Sequence, residues 1–177
     1  MGTVKPPPPV LFFSSVIFND PVILKGAEEG LARLVGPIRE KTEVMAFSES
    51  DYYAAEMGAG LRRYFLLFDA LLDRDVLAAV KIGSNGIEAA MSAGGRRRVN
   101  VDPGYIALEH VVLATTKGYA HRIYLGRGIF ADLTLLYENG SYRPLKWTYP
   151  DYGGGRLVSL LNGWRENYKG LLRCRKA

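Results

Sequence analysis

The fold is decided near the start of the chain by the segment VLFFSSVIF, residues Val10–Phe18. Its β-branched and aromatic residues predict a buried strand, with prolines before it and Asn19 and Asp20 after it. Asp20 is a good N-cap and Pro21 suits the first helical position, so a helix is predicted next, and it ends at Gly36. The chain therefore begins with a strand joined directly to a helix.

The following segments predict two strands, a helical region and another strand. In chain order these are a strand at Arg39–Phe47, a short helix capped by Ser50, a strand at Arg62–Phe68, a helix after Asp73, and a half-buried strand at Arg96–Asp102. The run Gly83–Gly86 predicts a break in the helical region, with Ser84 capping a second helix. This order predicts an α+β fold built on a ferredoxin-like βαββαβ antiparallel sheet.

The C-terminal part predicts successive β-hairpins and a terminal helix that extend this core. Short apolar runs occur at Val111–Thr116, His121–Leu125, Ile129–Tyr137 and Tyr142–Trp147. Glycine-containing turns separate them, among them Asn139-Gly140, which is a strong hairpin signal. An amphipathic helix is predicted over Arg156–Leu172. We expect residues 1–177 to form a single domain with a proline-rich leader at residues 1–9.

The charge of the 177 residues is unevenly distributed. Residues 1–93 hold 9 Lys or Arg against 12 Asp or Glu, whereas residues 94–177 hold 14 against 6, and the formal net charge is +5. A positive C-terminal half favours anionic partners such as phosphate-bearing small molecules or RNA, although a solvated basic surface would give the same pattern.

Several common chemistries lack their motifs in this sequence. No apolar run is long enough for a membrane helix and the first residues are not an apolar signal segment, so a cytoplasmic protein is expected. The only cysteine, Cys174, and two histidines, His110 and His121, predict neither a metal site nor a disulfide. There is no P-loop, and GRGIFA at residues 126–131 predicts a hairpin turn rather than a dinucleotide loop, because strand-like sequence lies on both sides. No cofactor is predicted.

Six polar residues remain as a candidate site, three on one face of a predicted strand and three near a predicted hairpin: Arg98, Asn100, Asp102, Lys117, His121 and Arg122. Arginine and lysine bind anions, and histidine titrates near neutral pH. If the protein is catalytic, His121 would be the general acid or base and Asp102 would orient it or a water molecule. Arg98, Asn100, Lys117 and Arg122 are predicted to bind the ligand.

Three of these residues also have a structural interpretation. Asp102 precedes Pro103-Gly104 and could close a turn, and Arg98 could belong to a solvated strand edge. His121 shares its predicted strand face with Ile123 and Leu125, which suits a half-buried structural histidine. Alternation puts Arg122 on the opposite face, so Arg122→Ala is expected to weaken ligand binding with little change in stability.

Three longer strings resemble a known family. These are RRVNVDPGY at residues 97–105, ATTK at 114–117 followed by HRIYLG at 121–126, and WTYPDY at 147–152; DYY at 51–53 and EMG at 56–58 add to the likeness. Together they resemble the bacterial domain-of-unknown-function family 4416, whose members often carry the label GTP-binding protein. The resemblance implies a soluble, single-domain bacterial protein and transfers no catalytic residue.

The leading hypothesis is therefore a protein that binds a small anionic or phosphate-bearing ligand, which includes nucleotides, at the polar cluster. One alternative is an RNA-binding or ribonucleoprotein-associated module, since a basic half with exposed tyrosines suits single-stranded bases. Another is a non-catalytic protein-interaction subunit. Whether the protein is an enzyme, and its oligomeric state, are left open by the sequence.

Overall fold

The computed structural model describes residues 2–47, 53 and 56–175. Nine strands form one antiparallel sheet within these residues, so the α+β class is confirmed. The strands are β1 (Val10–Phe18), β2 (Ile38–Lys41), β3 (Met45–Ala46), β4 (Arg62–Leu72), β5 (Val99–Ile106), β6 (His110–Thr115), β7 (Arg122–Gly126), β8 (Ile129–Glu138) and β9 (Ser141–Pro144). The α-helices are α1 (Leu24–Val35), α2 (Leu77–Ala90), α3 (Pro150–Gly153) and α4 (Gly155–Cys174). The strand order is β2-β4-β1-β5-β6-β8-β7, with β3 beside β4 and β9 beside β8.

Both faces of the central strands are covered by helices. Successive residues of β1 alternate between two apolar cores, as the period of a strand requires. Val10 and Phe12 belong to the core under α1 and α2. Leu11 and Phe13 belong to the core under α4, where the Phe13 ring lies 6.0 Å from the ring of Trp164. The continuous apolar run of β1 is thus explained by burial on both sides.

The predicted break at Gly83–Gly86 is wrong, because α2 is continuous through it. The structure shows a packing reason for the glycine. A Cβ at Gly83 would lie 2.5 Å from a methyl carbon of Leu34 on α1, so this position allows the two helices to approach closely. Ser84 is not a cap, since its hydroxyl donates to the Lys81 carbonyl oxygen at 2.8 Å.

The strand predicted at Arg96–Asp102 begins later and runs further than expected. β5 starts at Val99 and continues through Pro103 and Gly104, so the turn interpretation of Asp102 is wrong. β5 pairs with β1 along its whole length but with β6 only at Gly104–Ile106. Pro103 has no N–H to donate to a neighbouring strand, which suits its place just before this pairing begins.

Two of the predicted hairpin turns are confirmed, and the hairpin predicted between Val111–Thr116 and His121–Leu125 is wrong, because β6 and β7 lie on opposite sides of β8. Asn139 and Gly140 join β8 to β9 with φ of 50° and 83°, which fits a two-residue turn with left-handed backbone. Gly126–Gly128 joins β7 to β8, so GRGIFA contains a hairpin turn and not the strand-to-helix loop of a dinucleotide site.

Two other predictions on the N-terminal half have different outcomes. The strand predicted at Arg39–Phe47 is divided into β2 and β3. The short helix predicted to begin at Ser50 lies largely outside the described residues.

The terminal helix is confirmed as α4. None of the described helices combines the length and apolarity needed to cross a membrane.

Candidate functional site

A cleft opens in the sheet where β5 and β6 separate. Residues 99–103 of β5 pair only with β1, whereas β6 remains paired with β8 as far as Thr115. The space between them has a volume of about 640 Å³. Its walls come from α2, β5, the end of β6, the loop before β7, and the segment Tyr149–Tyr152. We call this space the split-sheet cleft.

Two side chains of α2 form hydrogen bonds with the backbone of β5 at the edge that no strand pairs with. Lys81 Nζ donates to the Val101 carbonyl oxygen at 2.7 Å, and Glu88 Oε1 accepts from the Val101 N–H at 2.7 Å. A buried backbone N–H or C=O without a partner is costly, so these contacts allow β5 to leave β6 without leaving Val101 unsatisfied. Burial raises the pKa of Glu88, and the nearby Lys81 ammonium opposes that shift.

A chain of polar contacts continues from this edge along the first half of β5. Arg97 donates to Asn100 Oδ1 at 2.8 Å, and Asn100 Nδ2 donates to Asp102 Oδ2 at 2.8 Å. Lys81 Nζ lies 3.3 Å from Asp102 Oδ1. Asp102 is therefore held by an amide and an ammonium group, while 30% of its side chain is accessible from the cleft.

Arg122 donates hydrogen bonds to three separate parts of the opposite wall. Its Nε donates to Asp132 Oδ2 at 2.8 Å, and its other nitrogens donate to the Lys117 carbonyl oxygen and the Tyr149 hydroxyl, each at 3.0 Å. Only 7% of the Arg122 side chain is exposed. The guanidinium group therefore positions Lys117 and Tyr149 at the cleft.

His121 contacts the same carboxylate as Arg122. Its Nε2 lies 3.4 Å from Asp132 Oδ2, and its ring stacks on Trp147 at a centroid distance of 5.0 Å. The prediction that His121 and Arg122 lie on opposite faces is wrong, because β7 begins only at Arg122 and strand alternation does not extend to His121. His121 is not in an apolar core either, since Ile123 and Leu125 are exposed.

The structure thus brings together most of the predicted cluster. The four residues Asn100, Asp102, Lys117 and Arg122 line the split-sheet cleft, and His121 reaches it through Asp132. Arg98 is the exception, since it is not among the lining residues and pairs with Asp20. Hydrogen bonds from the Val22 N–H and then from Arg98 lower the pKa of the Asp20 carboxyl.

A buried ion pair between Arg63 and Asp151 lies beside this polar network in the cleft wall. The rings of Phe65 and Phe47 flank the Arg63 guanidinium at 4.8 and 5.0 Å, and Tyr152 lies 5.7 Å away. Arg63 Nε is buried and has no hydrogen-bond partner among the described residues. This pair links β4 to α3, and so holds one side of the cleft against the central sheet.

The family model described as "Domain of unknown function (DUF4416)" matches residues 8–168, which include every described residue of the cleft. The chain belongs to this family. Neither the curated proteins nor the solved structures contain a significant match to it. The cleft of this DUF4416 member therefore has to be interpreted from its own geometry.

Several cleft residues of the DUF4416 chain were missed by the sequence reasoning. Lys81 and Glu88 are seven residues apart, so they lie on one face of a continuous helix, but the predicted break at Gly83 separated them. Asp132 interrupts the apolar strand β8, which was the available signal for it, whereas Arg63 stands beside Arg62 at the start of β4 and gave no such signal. No group of three or more side chains suited to a metal ion occurs in the described part of the chain.

Proposed function

We propose that the protein binds a small anionic ligand, most simply a phosphate-bearing one, in the split-sheet cleft. The observation that carries this proposal is the convergence of Asn100, Asp102, Lys117 and Arg122 on one cavity of about 640 Å³. That volume suits a small molecule with a few fixed polar contacts. Five cationic side chains and four carboxylates are among the described lining residues, a balance that favours an anion over a cation.

The two walls would contact different parts of such a ligand. Lys117 is exposed and lines the wall on the side of β6, so it is the cation assigned to the anionic group. Arg122 supports it by binding the Lys117 carbonyl oxygen. Asp102 on the β5 wall would accept hydrogen bonds from hydroxyl or amino groups of the same ligand. A phosphorylated compound that also carries such groups, which includes nucleotides, satisfies both walls.

Binding is the proposed function, and catalysis by His121 and Asp102 stays a prediction. The His121 side chain is 15% exposed, but its Nε2 is buried, has no hydrogen-bond partner among the described residues and lies 3.4 Å from Asp132 Oδ2. Its contact with the cleft runs through Asp132, which already binds Arg122. A histidine in that position would act on a ligand only indirectly.

The covered faces of the sheet favour the small-ligand proposal over the RNA-binding alternative. Modules that stack bases on a four-stranded sheet need an exposed sheet face, whereas α1 and α2 cover one face here and α4 covers the other. We also infer a ferredoxin-like core: the order β2-β4-β1-β5, with α1 and α2 on one face, supports it.

A titration of a ligand panel tests the proposal. The panel contains inorganic phosphate, a sugar phosphate, nucleoside mono- and triphosphates, and single-stranded RNA, and binding is measured by calorimetry. We expect a small phosphate-bearing compound to bind and Lys117→Gln to weaken its binding about tenfold or more, because a hydrogen bond to a charged group contributes about 1.5–3 kcal/mol. Lys25→Gln, an exposed lysine on α1, is the matched control and should bind like the original protein.

Two results would contradict the proposal. Binding that survives both Lys117→Gln and Asp102→Asn would place the ligand outside the split-sheet cleft. Binding of RNA alone, with affinity falling steeply as salt rises, would favour the RNA-binding alternative.

A further inference from the structure

Asp102 lines the split-sheet cleft as a carboxylate whose hydrogen bonding is fixed by its neighbours. Two donors among the described residues contact it, one on each oxygen. Lys81 Nζ lies 3.3 Å from Oδ1, and Asn100 Nδ2 donates to Oδ2 at 2.8 Å. The Asn100 amide cannot be reversed, because its Oδ1 accepts from Arg97 at 2.8 Å and a guanidinium group can only donate. Asp102 therefore serves as an acceptor, and a ligand group that contacts it has to be a donor.

The charges around Asp102 favour a neutral donor over a cation. Each of the four described carboxylates that line the cleft has a cationic side chain within 4.0 Å, and these pairs are Asp102–Lys81, Glu88–Arg97, Asp132–Arg122 and Asp151–Arg63. A ligand ammonium at Asp102 would lie beside the Lys81 ammonium and compete with it for the same oxygens. A neutral donor brings no second positive charge next to Lys81, so it binds without that repulsion.

Hydroxyl groups fit this wall better than other neutral donors. The acceptor Asp102 lies between two donors, the Lys81 ammonium and the Asn100 amide, and all three side chains line the cleft. A hydroxyl group both donates and accepts, whereas an amide N–H can only donate. Neighbouring hydroxyl groups can therefore use both the acceptor and the donors of the wall.

We propose that the ligand of the split-sheet cleft is a phosphorylated polyol, bound through neighbouring hydroxyl groups that donate to Asp102. This inference rests on the proposed function and specifies the class of phosphate-bearing compound. Lys117 on the other wall contacts the phosphate, and a cavity of about 640 Å³ has room for a sugar phosphate or for the sugar and phosphate of a nucleotide. The hydroxyl groups are common to both of these sources.

Three phosphate monoesters with the same six-carbon chain test the assignment. Sorbitol 6-phosphate carries hydroxyl groups, hexyl phosphate carries no donor, and 6-aminohexyl phosphate carries an ammonium group. Their binding to the whole chain is measured by calorimetry, and circular dichroism checks that each variant is folded. We expect Asp102→Asn to weaken the binding of sorbitol 6-phosphate at least tenfold, because a hydrogen bond to a charged group is lost. The binding of hexyl phosphate should stay the same or tighten, because the substitution removes a negative charge from the cleft.

Asp75→Asn is the matched control. Asp75 is an exposed aspartate just before α2 and is not among the described lining residues of the cleft, so its substitution should leave the affinity for all three compounds unchanged.

A second comparison identifies the source of the hydroxyl groups. Ribose 5-phosphate and adenosine 5′-monophosphate share two adjacent ribose hydroxyls, and we expect Asp102→Asn to weaken the binding of both. Tighter binding of the first compound to the original protein identifies a free sugar phosphate, and tighter binding of the second identifies a nucleotide.

Two results would overturn the polyol assignment and leave phosphate binding in place. One is an equal change of affinity for sorbitol 6-phosphate and hexyl phosphate in Asp102→Asn. The other is tightest binding of 6-aminohexyl phosphate, lost in the same variant, which would assign an amino group to Asp102. Failure of the proposed function gives a different result: none of the three monoesters binds, or all of them bind as tightly to Lys117→Gln as to the original protein.

Discussion

The two halves of β5 have opposite surroundings although they belong to one strand. Gly104–Ile106 lies between β1 and β6, in a ladder whose side chains enter the apolar cores. Val99–Pro103 pairs with β1 alone, and its other edge meets Lys81, Glu88 and the split-sheet cleft. The comparison shows how a sheet makes a polar site: a strand that leaves its neighbour must have its backbone satisfied by side chains, and these bring charge into the interior.

The largest expected effect on stability comes from a substitution of Arg122, which lies on the wall of the split-sheet cleft opposite β5. Arg122→Ala should lower the free energy of unfolding by about 3 kcal/mol, because it leaves the buried Asp132 carboxylate without its closest cation. This reverses the sequence-based expectation of little change. Urea denaturation of Arg122→Ala and Arg98→Ala measures the contrast.

Arg98→Ala is the control for that experiment. The Arg98–Asp20 pair is about one-third exposed on both sides, so its loss should cost less than about 1 kcal/mol. Equal losses in the two variants would show that the Arg122 network contributes no more than a surface ion pair.

Gly104 tests the packing of the half of β5 that pairs with both β1 and β6. A Cβ there would lie 2.5 Å from the Val112 carbonyl oxygen and 2.8 Å from a Leu113 methyl carbon. Gly104→Ala should therefore cost about 2 kcal/mol, since backbone atoms have to move. Gly163→Ala on α4 meets no atom within 4 Å and should be neutral or stabilising by up to about 1 kcal/mol. A neutral Gly104→Ala would mean that β5 and β6 are free to separate further.

His110 gives the smallest effect, visible only in the dependence of stability on pH. Burial lowers its pKa from the ordinary value of 6.5; the neighbouring Glu109 opposes the shift and Arg74 adds to it. The unfolded chain then binds the proton more readily than the folded chain. The contribution of His110 to the free energy of unfolding is therefore fully present above about pH 6.5 and is lost as the pH falls below that value. His110→Phe should flatten this part of the profile, measured by thermal melts. An unchanged slope would assign the acid sensitivity to other groups.

Local sequence patterns were sufficient for much of the fold. The alternation and composition of Val10–Phe18, the Asp20-Pro21 helix start and the Asn139-Gly140 turn each depend on interactions within a few residues. The error at Gly83 has the opposite cause. A glycine that weakens an isolated helix is tolerated here because Leu34, almost fifty residues earlier, occupies the space beside it.

The candidate site shows the same division. Local patterns were enough to mark Asn100, Asp102, Lys117 and Arg122 as candidate site residues, because each interrupts or flanks an apolar pattern. Packing between distant parts of the chain brings these four residues into one cleft, pairs Arg98 with Asp20, and places Lys81 and Glu88 at the edge of β5. The physical reason is that strand composition and turn preference are local, whereas the separation of β5 from β6, and the partner that each buried charge finds there, depend on residues far apart in the chain.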